Sequence, residues 1–342
     1  MTETSKTEAA SPDTYTGYVP PAVGRRLSFG WFGTRFAVIG VWVLLIVLFG
    51  ALRPDTFLTV GAWHAIFGGP NNTALLFLTA ALLCTIIVGE FVDMSVANNF
   101  GFAAIILSWL NVGFHLNAWI AALVAIAASA AVGALNGWLV VRMGVNTIVV
   151  TLGMGTFVFG LSLWMANLQP ISGVAKYISV ISSFELGGLP LAFYLGVVLM
   201  LGFAYVLWFT PLGRNMRFVG ENREVSRLAG VRVTRVRFLA FLVGGIIAGV
   251  GGVVSAAGVG GFDPNISNAY LLPLFAATFL GTAILEPGRF NPIGTLLAVF
   301  FLGTGVLGLQ LLGATSWVTN VFYGGVLVIA VTLTTILHRR SR

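Results

Sequence analysis

Long apolar runs separated by short polar connections make up most of this chain. Ten of them approach the ~20 residues that cross a bilayer as an α-helix. Their limits are Phe36–Leu52, Ala74–Gly89, Phe100–Phe114, Ala118–Val141, Thr147–Ala166, Leu189–Thr210, Phe238–Val259, Tyr270–Leu285, Ile293–Leu312 and Trp317–Leu337. The pattern predicts an all-α polytopic membrane protein with about ten transmembrane helices. The second, third and eighth runs are short for a full crossing, so tilted or broken helices are expected there. Residues 1–35 are polar, carry no signal-peptide core, and read as a tail before a retained first span. Residues 36–337 form the membrane domain, 211–237 a polar loop within it, and 338–342 a second tail.

Composition agrees. The chain is 58% hydrophobic and 8% charged, against roughly 25% charged in an ordinary soluble domain. Its net charge of +7 does not point to nucleic acid, because the basic residues sit in connections between apolar runs and not on one solvated face. With the amino terminus inside and ten crossings, sixteen of the eighteen Lys and Arg residues fall on the cytoplasmic side, leaving Arg53 and Lys176 outside. Seven of the sixteen crowd into one loop: Arg214, Arg217, Arg223, Arg227, Arg232, Arg235 and Arg237. Most of these are expected as anchors facing lipid headgroups. Small residues at Gly245 and Gly249, and at Ala248 and Gly252, put narrow side chains on one helix face, as tight packing within the bundle requires.

Several chemistries find no support. Cys84 is the single cysteine, so neither an intramolecular disulfide nor a cysteine zinc site is available. Neither Lys6 nor Lys176 follows the glycine-rich turn of a nucleotide-binding P-loop, and His64, His115 and His338 are isolated. The chain is therefore expected to bind no cofactor and to catalyse no reaction, which leaves movement of a solute as the default function. Glu90 and Asp93 lie between the second and third runs, where a carboxylate must face water, a cavity or a partner. One reading is a cytoplasmic turn with Asp93 capping the next helix. The other is a broken helix on a solute pathway, with Ser95, Asn98 and Asn99 offering hydrogen bonds to a polar uncharged molecule. Asn136, Asn146 and Thr147 flank Arg142 and are weaker candidates for the same pathway, Asn146 being equally a helix cap. Few acids remain for ion coupling, since Asp263 and Glu286 each adjoin a proline in a turn. Energy is thus expected from a separate protein.

Four motifs give the chain a family likeness: Gly89 to Ser95; Asn136-Gly137 through Thr151-Leu152-Gly153; Gln169-Pro170-Ile171-Ser172-Gly173; and Gly213-Arg214 through Val219-Gly220-Glu221-Asn222 to Arg227-Leu228-Ala229-Gly230-Val231. From about Leu75 to Val331 the chain resembles the permease subunits of bacterial ATP-binding-cassette importers for monosaccharides, of the ribose and xylose type, with a type II importer fold. The resemblance implies two permease copies in the cytoplasmic membrane, with ATP and Mg on a partner ATPase subunit and an extracytoplasmic sugar-binding protein outside. It also implies that the last motif forms a helix seated on the ATPase, with Gly220, Glu221, Asn222, Arg223, Ala229 and Gly230 making the coupling contact.

Departures from the family pattern include Asp93-Met94-Ser95-Val96-Ala97-Asn98, Asn146-Thr147 in place of a Pro-Pro pair, Leu271 and Pro273 at acidic positions, and Val306-Leu307 in place of Asn-Asn. They touch the pathway more than the loop, and point to an altered cargo such as a polyol or an unusual sugar. The alternatives are an autonomous secondary carrier or facilitator for a small polar solute, and a non-transporting scaffold.

Overall fold

The computed structural model describes residues 29–90 and 92–340. Sixteen helices follow in order among them. The first eight are α1 (Phe29–Leu52), α2 (Pro54–Phe57), α3 (Val60–Gly68), α4 (Pro70–Ile87), α5 (Val96–Ser108), α6 (Ala118–Val141), α7 (Thr147–Met165) and α8 (Lys176–Ser183). The remainder are α9 (Leu191–Phe209), α10 (Pro211–Glu221), α11 (Arg223–Leu228), α12 (Val233–Val259), α13 (Ile266–Ala269), α14 (Leu271–Gly281), α15 (Pro292–Leu311) and α16 (Ser316–Arg340). Strands are two residues each: β1 (Ile171–Ser172) pairs antiparallel with β4 (Gly261–Phe262), and β2 (Glu185–Leu186) with β3 (Leu189–Pro190).

Among the described residues, seven helical stretches are long and apolar enough to cross a membrane, and three shorter apolar helices cover Phe36–Leu52, Ile266–Gly281 and Ser316–Thr332. Together they occupy the ten apolar runs, and the protein is an all-α polytopic membrane protein. Each run that was short for a crossing belongs to an interrupted helix. The second gains length because α3 leads into α4 across a break at Gly69, where Pro70 supplies no N–H to continue the ladder. α5 ends in a π-helical turn over Trp109–Gly113, and the eighth run is entered from the short α13, which breaks from α14 at Tyr270.

The ends differ from expectation. Residues 1–28 of the expected tail lie outside the described residues, but α1 begins at Phe29, before the apolar run. Backbone N–H and C=O groups approaching a bilayer are best satisfied within a helix, so the helix is already formed ahead of the apolar run. At the other end α16 carries His338, Arg339 and Arg340 of the expected second tail, since no glycine or proline stops it there. Residues 341–342 are outside the described residues.

α12 is the hub and packs on α4, α5, α6 and α8. α4 is buried from Asn72 through Ile87, whereas α7 and α9 expose Val149, Leu152, Phe157, Trp164, Val198, Tyr205 and Phe209, the apolar exterior that lipid solvates. Glycine makes the hub possible. A Cβ on Gly252 would overlap the Phe100 carbonyl of α5, one on Gly133 the Phe241 carbonyl of α12, and one on Gly245 would lie 2.7 Å from the Ser129 carbonyl of α6. The approach lets the Ser129 hydroxyl donate to the Gly245 carbonyl at 2.7 Å. The small residues of α12 thus serve packing within the chain, as expected.

Overpacking costs about 1–3 kcal/mol even where side chains can yield, and here the obstacles are backbone. Gly252→Val and Gly133→Val should therefore abolish the folded, monodisperse protein in detergent. Gly153→Ala, with open space around its Cβ, should melt within about 2 °C of the parent. Size-exclusion profiles and thermal melts of the three variants check this.

Candidate functional site

The arginine-rich segment folds as two short helices and the foot of a third. Pro211 opens α10 behind the cap of Thr210, whose hydroxyl accepts from Gly213 N. Gly213, Met216 and Val219 turn one face inward. Asn222 then breaks the path, because its Oδ1 accepts from Glu224 N and Val225 N to cap α11. Gly230, at φ 83°, ends the turn after α11.

α10 lies directly on the end of α4. A Cβ on Gly220 would overlap the Ile87 carbonyl oxygen, and Gly89, at φ 74°, faces Gly220 from the other side. Just beyond, Glu90 is 6% exposed. Its Oε1 meets Arg237 Nε at the foot of α12 and Arg223 Nη2 of α11, the latter at 3.3 Å, while its Oε2 accepts from the Thr147 hydroxyl of α7 at 3.2 Å. Arg223 Nη2 also donates to the Gly89 carbonyl at 2.6 Å. One carboxylate thus ties four segments together at the arginine-bearing end of the bundle.

Four of the seven arginines have carboxylate partners. Arg223 and Arg237 hold Glu90, Arg227 pairs with Glu224 at 2.7 Å, and Arg217 comes within 3.9 Å of Glu286. Arg214, Arg232 and Arg235 are exposed. A buried glutamate must recruit cations, and arginine's planar fork suits the task.

Three residues past Glu90 begins a polar group sealed inside the bundle. Asp93 Oδ1 accepts from Ser95 N at 2.9 Å and from the Ser95 hydroxyl at 2.7 Å, so the turn before α5 has the capping geometry. Burial pushes the Asp93 carboxyl up from its ordinary value, opposed by these bonds from Ser95. Ser95 Oγ accepts from Asn136 Nδ2 of α6 at 2.9 Å, Asn99 Nδ2 donates to the Ser129 carbonyl at 3.1 Å, and Met94 N donates to the Thr151 hydroxyl of α7 at 3.1 Å. Asn98 lies against Gly155 of α7. The side-chain oxygens of Asn98, Asn99 and Asn136 are buried without a hydrogen-bond partner. Each such group costs about 1–3 kcal/mol unless a water or another polar molecule meets it.

The structure therefore gathers Asp93, Ser95, Asn98, Asn99 and Asn136, and sets Thr147 on Glu90 at the edge of the group. Asn146 stands apart: it is exposed, and its Oδ1 caps α7 through Ile148 N and Val149 N. In the loop, Glu221 is paired with Arg289 at 2.8 Å, Asn222 is occupied as a cap and Arg223 turns inward, leaving Ala229 and Gly230 exposed.

Sequence reading missed Thr151, Ser129 and Gly155, which carry no charge to draw attention. It also missed Val225 and Leu228, 60% and 84% exposed on one face of α11. An apolar pair three residues apart on a helix too short to have a core was the available signal. Among the described residues, no group of three or more His, Cys, Asp or Glu is placed to hold a metal ion.

Comparison with known proteins gives this arrangement its setting. Residues 69–331 match the family described as the branched-chain amino acid transport system permease component. The ribose import permease of Escherichia coli strain K12 is 26% identical over 313 residues, spanning 90% of this chain and 96% of that protein. The L-arabinose ABC transporter permease of Azospirillum brasilense is 30% identical over 308 residues, 85% of this chain and 86% of that protein. The autoinducer 2 import permease of Photorhabdus temperata is 27% identical over 330 residues, 93% and 95% respectively. With a family match running from the break before α4 well into α16, the chain belongs to this family of membrane permease components.

Proposed function

We propose that the chain is the membrane-spanning subunit of an ATP-binding-cassette importer, and that it carries a monosaccharide or a related polyol across the bacterial cytoplasmic membrane. The cargo class rests on the relatives named for ribose, L-arabinose and D-allose and on the uncharged polar groups gathered behind Asp93. The ATP is hydrolysed on a partner subunit with its Mg, the permease holding no ATPase site of its own. A second permease copy, an extracytoplasmic sugar-binding protein and the surrounding lipid complete the assembly. The distribution of positive charge supports a cytoplasmic side for both termini and the α10–α11 loop.

One observation carries the coupling reading: Glu90 joins α11 and α12 to the segment that opens into Asp93. When the ATPase moves α11, Arg223 and the Gly220 contact transmit the displacement to the end of α4 and to Glu90, which stands three residues before Asp93. The contact with the ATPase is made by Val225, Leu228, Ala229 and Gly230, while Glu221, Asn222 and Arg223 hold the loop's shape. An autonomous carrier has no use for an exposed apolar face on a charged cytoplasmic loop.

Leu228→Asp should leave the melting temperature of the permease unchanged while lowering ATPase co-purification and cellular uptake about tenfold; full uptake with normal assembly would end the coupling assignment. Glu90→Gln leaves two arginines without their carboxylate and should cost about 3 kcal/mol of stability, read as a lowered melt. Asn98→Ala, which removes an unpaired polar group, should leave the melt equal or higher while lowering uptake at least fivefold. Loss of folded protein in step with uptake would instead assign Asn98 to structure alone.

A further inference from the structure

At the end of the bundle opposite the arginines, about 40 Å away along the 27-residue α12, a cavity of about 220 Å³ is lined by Asn71, Ser172, Ser255, Asp263, Tyr270 and apolar neighbours. We propose that it is a hand-over subsite for a single sugar ring, taken up after release from the external binding protein. The inference rests on the sugar-import reading above and names a site which that reading does not require.

The walls are built to keep their shape. β1 and β4 pair across the rim, and the Gly260 carbonyl accepts from Gly173 N at 2.9 Å and Val174 N at 3.0 Å. A Cβ on Gly261 would overlap the Ile171 carbonyl, so the two strands meet closely only because glycine stands there. Tyr270 donates to Asn71 Oδ1 at 3.1 Å and packs edge-on against Phe100, which also meets Phe262. The floor is therefore tied to α5 and α4, and a ligand would find it preformed.

The polar groups are aimed at something other than the protein. Hydroxyls elsewhere in the membrane helices have protein partners: Thr79, Ser108, Ser162, Thr278 and Thr304 donate back to their own helix, and Ser129 and Thr147 to a neighbouring segment. Among the described residues Ser255 makes no such bond, nor does Ser172 make any side-chain bond. Asn71 spends its oxygen on Tyr270 and keeps both amide hydrogens, and Asp263 spends Oδ1 on Asn265 and keeps the other oxygen. The cavity thus offers a carboxylate acceptor, an amide donor and two hydroxyls, beside apolar surface from Pro70, Pro170 and Phe262. A sugar ring presents this mixture in return, each hydroxyl both donating and accepting, with C–H faces between.

Other ligands fit less well. The cavity is below the ~300–1,000 Å³ of drug-sized sites, which excludes an oligosaccharide. One carboxylate among neutral groups is a poor cage for a divalent cation. An amino acid would bring a carboxylate, and none of the lining residues is Lys, Arg or His to neutralise it. A neighbouring pocket of about 90 Å³ shares Pro70, Ser255 and Val259 with it and is lined further along α4 and α12 by Phe77 and Gly251.

Two measurements decide the matter. Binding of D-ribose, L-arabinose and D-allose to the full chain in nanodiscs, read by saturation-transfer NMR, should be saturable in the millimolar range for at least one of them. Asn71→Leu and the isosteric Asp263→Asn should each weaken it fivefold or more. Unchanged affinity in both folded variants, or no binding of any of the three sugars, overturns the subsite. Uptake of the same sugars by cells carrying the intact importer separates the two readings. Uptake without binding at this cavity removes the subsite and leaves the function; uptake of leucine but of none of the sugars removes both.

Discussion

A carboxylate sealed away from water at the edge of a membrane bundle can remain charged only if cations are brought to it, and Glu90 imposes that condition on everything around it. Arg223 must come from α11 and Arg237 from α12, while Thr147 of α7 closes the remaining oxygen. The loop between α9 and α12 is therefore not free to lie where headgroups pull it. It is folded back on α4, and Gly220 permits that approach because any side chain there would strike the Ile87 carbonyl. Holding Glu90 gives Arg223 and Arg237 a task beyond the anchoring that charge density alone suggests.

This condition links the two chemically distinct regions of the molecule. On the solvated side stands α11 with its exposed Val225 and Leu228. On the other side, three residues past Glu90, Asp93 begins a chain of hydrogen bonds through Ser95 to Asn136 and from Asn99 to the α6 backbone. Rigid-body motion of the loop has a short, stiff route to this polar interior, since backbone meets backbone at Gly220 and Gly89 and no flexible side chain intervenes. The same economy governs the hub. α12 touches α5 and α6 so closely that carbonyls and glycine Cα atoms form the interface.

The opposite end follows a different logic. There the helices stop, short strands and turns take over, and polar side chains are left unspent around a small preformed cavity. Irregular backbone at such depth is tolerated where it lines a cavity and is itself hydrogen-bonded, and the β1–β4 ladder meets the second requirement. The break before Pro70 belongs to the same region, delivering Asn71 to the cavity wall at the first turn of α4.

Hydrophobic patterning by itself determined that this is a polytopic helical membrane protein, and the run lengths showed which helices are interrupted, because the cost of placing backbone and charge in hydrocarbon is local and large. Four motifs likewise sufficed for the family. Caps were legible too: Asn146 and Asn222 stand where a helix start needs an acceptor, and each is used there. Only the tertiary structure decided which arginines are counter-ions to Glu90, since Glu90 lies 133 residues from Arg223 and 147 from Arg237 and no local pattern joins them. It alone set Asn136 on Ser95 and Asn71 on Tyr270. Patterning reports what a segment loses by leaving water, whereas partners for buried polar groups come from whichever helix the packing brings alongside.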